Sequence, residues 1–350
     1  MNGGMDQGGE DAGLMTASGI PAALCGNQAW QLDRVFGQGR REKLAAAAAL
    51  FPDYVTAESF ALQEPSLRNV QVLFSTWGMD ENLARLVAGL PELKVLFHAA
   101  GTVQAFARPL LEKSITVVSA WAANAVPVAQ FAASQILLSL KGYFRNSRDT
   151  HAAGNRGRAV PTQAPGAYGE CVALLGCGMV GRAVAERLRG DGLDLIVFDP
   201  YLFDADAAAL GMRKVTIPQA FAQAQVVSNH LPDLPATRGL LSRDLFLSMR
   251  PSATFINTAR GATVMEAGLF AALVTRPDLT ALLDVTFPEP LPADSAWYAL
   301  ENAHLTSHIA GSNGNEVVRM ADYCLEEFAA WRRGDPLRYR VTLAMLERMA

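Results

Sequence analysis

Residues 172–190 leave this chain the fewest options. The apolar run Val172–Leu175 (VALL) meets Gly176-Cys177-Gly178-Met179-Val180-Gly181, and a helical pattern follows to Gly190 with Val180, Val184 and Leu188 on one face. A glycine turn between strand and helix has specific physics. The first glycine permits a tight turn, the second lets the backbone approach a pyrophosphate, and the third allows close helix–strand packing. Backbone N–H groups at the helix start then face the anion. The next apolar run ends in Asp199, eighteen residues after Gly181. A carboxylate there can accept hydrogen bonds from ribose hydroxyls and would repel a 2′-phosphate. Glycines also mark ordinary turns, and a strand-ending aspartate can be a plain surface group. Strand, glycines, helix and acid in register favour a dinucleotide site, with NAD preferred over NADP.

Around this turn, strand and helix patterns alternate. Predicted strands cover 70–75, 93–98 and 115–119, then 171–175, 194–198, 225–229, 253–257, 279–284 and 303–306. Short apolar runs separated by helices imply parallel strands covered on both faces, so the class is α/β. The last six suit a complete doubly wound sheet. Asp80 is expected to cap a helix whose apolar face is Leu83, Leu86, Val87 and Leu90. A long apolar helix is expected over about 124–144, then an irregular connection over 145–169 that carries His151, Arg156 and Arg158. The last helix, about 315–333, presents Val317, Met320, Ala321, Cys324 and Phe328, and residues 45–49 read as a helix-forming alanine run.

Composition removes several classes. The 350 residues carry 30 basic and 34 acidic side chains, a net charge of −4, which argues against nucleic-acid binding through a basic surface. Cys25, Cys171, Cys177 and Cys324 form no C-x-x-C pair, so no zinc ribbon or thioredoxin-like motif is indicated. Four reduced, mostly buried thiols in a cytoplasmic protein is the expectation. Met1 to Ala12 is Gly-rich and acidic, unlike a signal peptide, and residues 1–20 are expected to be a flexible tail. Residues 114–140 carry no charge and could span a bilayer by length, but Asn124, Pro127, Gln130, Ser134 and Gln135 interrupt them. A buried strand followed by a buried helix is the expectation, with no membrane partner.

The chemistry lies downstream. Arg260 follows the 253–257 strand, Asp284 ends the next, Glu289 lies in a proline-rich loop, and His308 follows the last strand. Arg260, Glu289 and His308 thus share the C-terminal rim, where open α/β sheets place ligands. Hydride chemistry at a carbonyl needs such a set. A planar guanidinium can hold a substrate carboxylate. A histidine can give a proton to the developing alkoxide, and a carboxylate beside it can orient it and keep that proton available. Each residue also has a plainer reading, as salt-bridge partner, solvated turn residue or satisfied loop histidine. His304 and His308 could suggest a metal pair, but no third ligand is evident.

The stretches LLGCGMVG, HLPDLPATRGL, FINTARGA, LDVTFPEPLP and TSHIAG, in this order, resemble the D-isomer-specific 2-hydroxyacid dehydrogenase family, which includes phosphoglycerate dehydrogenases and glyoxylate/hydroxypyruvate reductases. The similarity runs from about Val70 to the C-terminus and is strongest over 171–311. It implies that Arg260 binds substrate, His308 is the acid/base and Glu289 is its partner. It implies cofactor contacts at Gly176, Gly178, Met179, Val180, Gly181, Asp199, Leu231, Pro232 and Thr237, with Thr258, Asp284 and Gly311 around the nicotinamide end. The FHAAGTV segment resembles the loop whose N–H groups hold the substrate carboxylate, a role carried to Ala100 and Gly101; Trp77 could close the pocket.

The resemblance further implies two Rossmann-like (flavodoxin-like) domains. Residues 1–122 and 311–350 would form the substrate domain, with the NAD-binding domain, 123–310, inserted between them. The apolar helix would help form a homodimer. Gln130, Val103, Met265 and Ser307 depart from the usual Glu, acid, Asp and Pro. They bear on substrate and loop geometry, not on the proposed catalytic groups. The reading is an NAD-dependent reductase of a small anionic 2-oxo acid, of the glyoxylate/hydroxypyruvate type. The alternative is an NAD(H)-binding regulatory protein like the carboxy-terminal-binding co-repressors.

Overall fold

The structure, a computed structural model, describes residues 19–152 and 164–347. It contains two sheets. Five strands precede the helix Trp121–Leu140: β1 (Pro21–Cys25), β2 (Ala49–Leu50), β3 (Val72–Ser75), β4 (Val95–His98) and β5 (Thr116–Ser119). Seven follow: β6 (Cys171–Leu175), β7 (Asp194–Phe198), β8 (Met212–Lys214), β9 (Val226–Asn229), β10 (Thr254–Asn257), β11 (Thr280–Leu283) and β12 (Ala303–Leu305). A short β13 (Arg340–Val341) closes the set. The first sheet has the order β13-β5-β4-β3-β1-β2 and the second β12-β11-β10-β9-β6-β7-β8. Every pairing is parallel except β13 with β5.

The parallel strands are buried on both faces, which explains their continuous apolar runs. In each sheet the chain reverses its direction of growth once, between β1 and β3 and between β6 and β9. Crevices outside the strand ends at such points are where doubly wound sheets bind ligands. The first crevice holds the loops at Gly26 and Trp77-Gly78, joined by Asn27 N–H to the Gly78 carbonyl at 3.1 Å. The second holds the glycine turn and the loop at His230–Leu231.

The C-terminal segment returns to the first sheet. The helix Val318–Arg333 lays Phe328 edge-on against Phe74 of β3, centroids 5.3 Å apart, and Phe97 of β4, 5.9 Å apart. The helix Trp121–Leu140 runs between the two halves. Among the described residues it is the one helix long and apolar enough to cross a membrane, with half of that window buried. Ala129, Ala132, Ile136 and Leu140 are fully buried and pack under the second sheet.

The nine predicted strands all form. Four others, β1, β2, β8 and β13, lack a sequence signal for physical reasons. β2, β8 and β13 are edge strands of two or three residues, and β8 (MRK) is polar. β1 (PAALC) has no β-branched residue. The second sheet therefore has seven strands instead of the expected six. The alanine run does not stay helical, since its helix stops at Ala47 and Ala49 enters β2.

The apolar helix starts at Trp121 and stops at Leu140; Gly142, at φ +67°, turns the chain. Tyr143–Ala152 is then a second helix and not an irregular connection. It buries no residue, so it carries no apolar periodicity to be read. Asp80 does cap its helix, accepting the Leu83 N–H at 2.8 Å. Arg156 and Arg158 lie outside the described residues, as does nearly all of the expected N-terminal tail.

Candidate active site

Three loops at the C-terminal ends of the second sheet bring the expected groups together. His308 Nδ1 and Glu289 Oε1 are 2.7 Å apart, both side chains about half exposed. With Nδ1 engaged, Nε2 is the free nitrogen. His308 has φ +58°, a left-handed conformation that costs a non-glycine residue free energy. Asp284 holds it there. The Asp284 carbonyl accepts the His308 N–H at 3.0 Å, and its carboxylate accepts the N–H groups of Ile309 (2.8 Å) and Ala310 (2.9 Å) and the Thr306 hydroxyl (2.6 Å). Asp284 is 2% exposed, so this buried charge is offset by three donors. It grips the loop that carries His308.

Arg260 follows β10 in extended backbone. Its carbonyl is clamped by Asn257 Nδ2 (3.2 Å) and the Thr263 hydroxyl (2.8 Å), and Asn229 Nδ2 braces both Asn257 and Thr263 from behind. Its guanidinium, half-buried, donates to the Ala259 carbonyl at 2.7 Å and forms no ion pair among the described residues. Burial pushes its pKa below the usual range, against the opposing charges of Glu289 and Asp233. A partly desolvated cation without a carboxylate partner suits a small anion.

The dinucleotide groups fit their expected ligand. Gly176 has φ +93°, and a Cβ there would lie 2.8 Å from the His230 carbonyl oxygen. A Cβ on Gly181 would lie 2.1 Å from the Gly176 oxygen, so this glycine is required for packing. Around Gly178 nothing lies within 4 Å, which leaves its backbone open to an incoming phosphate. The helix Met179–Arg187 starts there, with Met179 exposed and Val180 half-buried.

Asp199 accepts the N–H groups of Cys177 (2.7 Å) and Tyr201 (2.8 Å), one on each oxygen. A carboxylate has about four acceptor positions, so capacity remains for ribose hydroxyls. Leu231 donates its N–H to Asn229 at 3.2 Å, and the Thr237 hydroxyl ties the Pro232 carbonyl at 2.5 Å. Thr258 Oγ1 is buried without a partner among the described residues. Such an orphan costs free energy unless a ligand satisfies it.

The first sheet supplies the opposite wall. After β4, the carbonyls of Ala100 and Gly101 accept the Ser119 hydroxyl at 2.9 and 2.8 Å. No acceptor for their N–H groups occurs among the described residues. The carbonyls are thus turned inward and the N–H groups are left over for an anion. Trp77 is half-buried and packs against the core of the first sheet. Sequence reasoning missed Asn124, which joins the two walls. Its Oδ1 accepts the Ser312 N–H at 2.9 Å, and its amide sits where a Cβ on Gly101 or Gly311 would come within 3.3 Å. Asn229, Asn257 and Ser119 were missed as well. Their only signal is polarity at a strand end in a run otherwise apolar.

The family model described as D-isomer specific 2-hydroxyacid dehydrogenase, NAD binding domain, matches residues 135–310, just over half of the chain. A D-3-phosphoglycerate dehydrogenase of Mycobacterium bovis is 28% identical over 249 residues, 68% of this chain and 47% of that protein. A glyoxylate reductase of Korarchaeum cryptofilum is 30% identical over 168 residues, 48% of this chain and 51% of that protein. The chain thus spans about half the length of these curated relatives. Among solved structures, a phosphoglycerate oxidoreductase from Rhizobium etli superposes with a TM-score of 0.74 at 22% identity, covering 92% of this chain and 98% of that one. That likeness supports the fold of both sheets.

Proposed function

This chain belongs to the D-isomer-specific 2-hydroxyacid dehydrogenase family, and on that premise we propose that it reduces a small 2-oxo acid to the D-2-hydroxy acid with NADH. One observation carries the proposal: a half-buried Arg260 guanidinium with no ion pair among the described residues shares a rim with the His308–Glu289 pair. NADH supplies the hydride that reaches C2. Arg260 takes the substrate carboxylate, helped by the free N–H groups of Ala100 and Gly101. His308 gives the proton from Nε2 to the C2 oxygen, because Glu289 occupies Nδ1 and fixes the ring. The phosphate turn holds the pyrophosphate, and Asp199 the adenosine ribose.

Residues 1–122 and 311–350 are proposed as the substrate domain and 123–310 as the cofactor domain, with Asn124 and Ser312 near the two crossings. Closure of the cleft between them would keep water from the hydride step. Within the class, a substrate of glyoxylate or hydroxypyruvate type is proposed, and a homodimer through the Trp121–Leu140 helix.

The test is NADH oxidation against glyoxylate, hydroxypyruvate, pyruvate and phenylpyruvate, with NADPH in parallel and His308→Ala as control. We expect turnover of at least one acid. It should fall by about 10³-fold in His308→Ala, in line with loss of a general acid, while the NADH Kd changes less than about threefold. Tight NADH binding with no turnover of any acid would overturn the reductase reading and favour a nucleotide-sensing protein.

A further inference from the structure

The geometry points to Glu266 as the positioning residue of the acid–base pair, setting Glu289 against His308 through the backbone of Phe287. This rests on the roles proposed above for His308 and Glu289. Glu266 opens the helix Glu266–Thr275. Its Oε2 accepts the Phe287 N–H at 2.7 Å, and Trp297 lines the same pocket. Glu266 is half-buried and borders a small pocket with Gly261, Thr286 and Trp297. Burial raises its pKa, while the Phe287 N–H and the nearby Trp297 side chain oppose that shift.

Three further features turn this bond into a positional restraint. Glu289 lies two residues beyond Phe287, and Pro288 and Pro290 flank it, so few backbone torsions separate the anchored N–H from the carboxylate. The Thr286 hydroxyl donates to the Pro288 carbonyl at 2.9 Å and tightens the same turn. Beneath it, Gly261 has no room for a Cβ, which would lie 2.1 Å from the Thr286 carbonyl carbon and oxygen. The 286–287 backbone is therefore pressed on the residue next to Arg260 and pulled down by Glu266. Without Glu266, the Phe287 N–H loses its acceptor and the loop loses a charged anchor. The Glu289 to His308 contact is then free to loosen. Errors of about 1 Å in such contacts cost up to about 10²-fold in rate.

The experiment compares Glu266→Ala, Glu266→Gln and Glu289→Gln in the full chain. Three readouts are taken: steady-state kinetics, NADH Kd by fluorescence, and the His308 ring state by NMR of ¹⁵N-histidine protein, assigned with His308→Ala. We expect Glu266→Ala to lower kcat about tenfold, with KM and NADH Kd within about twofold. Its pH–rate profile and His308 ring signals should move to those of Glu289→Gln. Glu266→Gln, which keeps an acceptor for the Phe287 N–H, should restore kcat to within about threefold of the parent. The double variant Glu266→Ala/Glu289→Gln should be no slower than Glu289→Gln alone. Parent-like His308 signals in Glu266→Ala overturn the inference, and so does a loss of NADH affinity as large as the loss of kcat. If no acid is turned over, the reductase reading fails by itself, and the His308 signals still decide the role of Glu266.

Discussion

In the seven-stranded sheet the rim groups are side chains: Arg260 after β10, Glu289 after β11 and His308 after β12. In the six-stranded sheet the rim offers backbone: the N–H groups of Ala100 and Gly101, whose carbonyls Ser119 holds inward. The plan of the two sheets is the same, parallel strands with one change of direction. Their legibility differs. An arginine or histidine in a loop is visible in a sequence, whereas an N–H group is present at every residue but proline. Each half also holds a histidine one step from its rim, His98 buried and His230 half-buried. Burial pushes the His98 pKa down to about 3 and that of His230 to about 4. Both are expected to be neutral, and each hydrogen-bonds a serine, Ser75 and Ser228 respectively. A histidine near a site is thus no guide to its role. His308 is set apart by its carboxylate partner, its exposure and its held backbone.

If side chains serve one wall and backbone the other, substitutions should separate them. The largest effect is expected for Asp284→Ala. It strips acceptors from the Ile309 and Ala310 N–H groups and the Thr306 hydroxyl, which should cost about 3 kcal/mol in urea unfolding. It should also release the His308 backbone. A loss under about 1 kcal/mol would mean that the loop holds itself.

The next effect falls in the other half and reports on pH. His98 is 2% exposed, and its pKa falls from 6.5 to about 3 on folding. Between these values the unfolded chain binds a proton that the folded chain does not. The contribution is therefore complete above pH 6.5 and lost as pH falls toward 3. Near pH 5 the loss is about 2 kcal/mol. In His98→Gln the drop in unfolding free energy between neutral pH and pH 5 should shrink by about that amount, and an unchanged drop would show that this imidazole does not titrate in that way.

The smallest effect tests the backbone wall directly. Ser119→Ala removes the donor that turns the Ala100 and Gly101 carbonyls inward. We expect KM for the oxo acid to rise about threefold, with kcat and NADH Kd nearly unchanged. A fall in kcat without a change in KM would place the anion elsewhere.

The sequence alone determined what short-range physics controls. The glycine turn, Asp199 and the nine main strands depend on neighbours within a few residues, and their signals are local. The Asp80 cap is likewise local, three residues from its partner. Arg260, Glu289 and His308 stood out by residue type and by position after strands. Only the tertiary structure decided how they are held. The edge strands β2, β8 and β13 are too short to announce themselves, and β8 is polar as well. The clamp on Arg260 uses asparagines from two strands, and the bridge between the walls is Asn124, 188 residues from Ser312. The Asp284 grip spans up to 26 residues. Such contacts depend on which chain segments meet across a sheet edge. Neither the periodicity nor the composition of one segment encodes that meeting, because its free energy belongs to both partners.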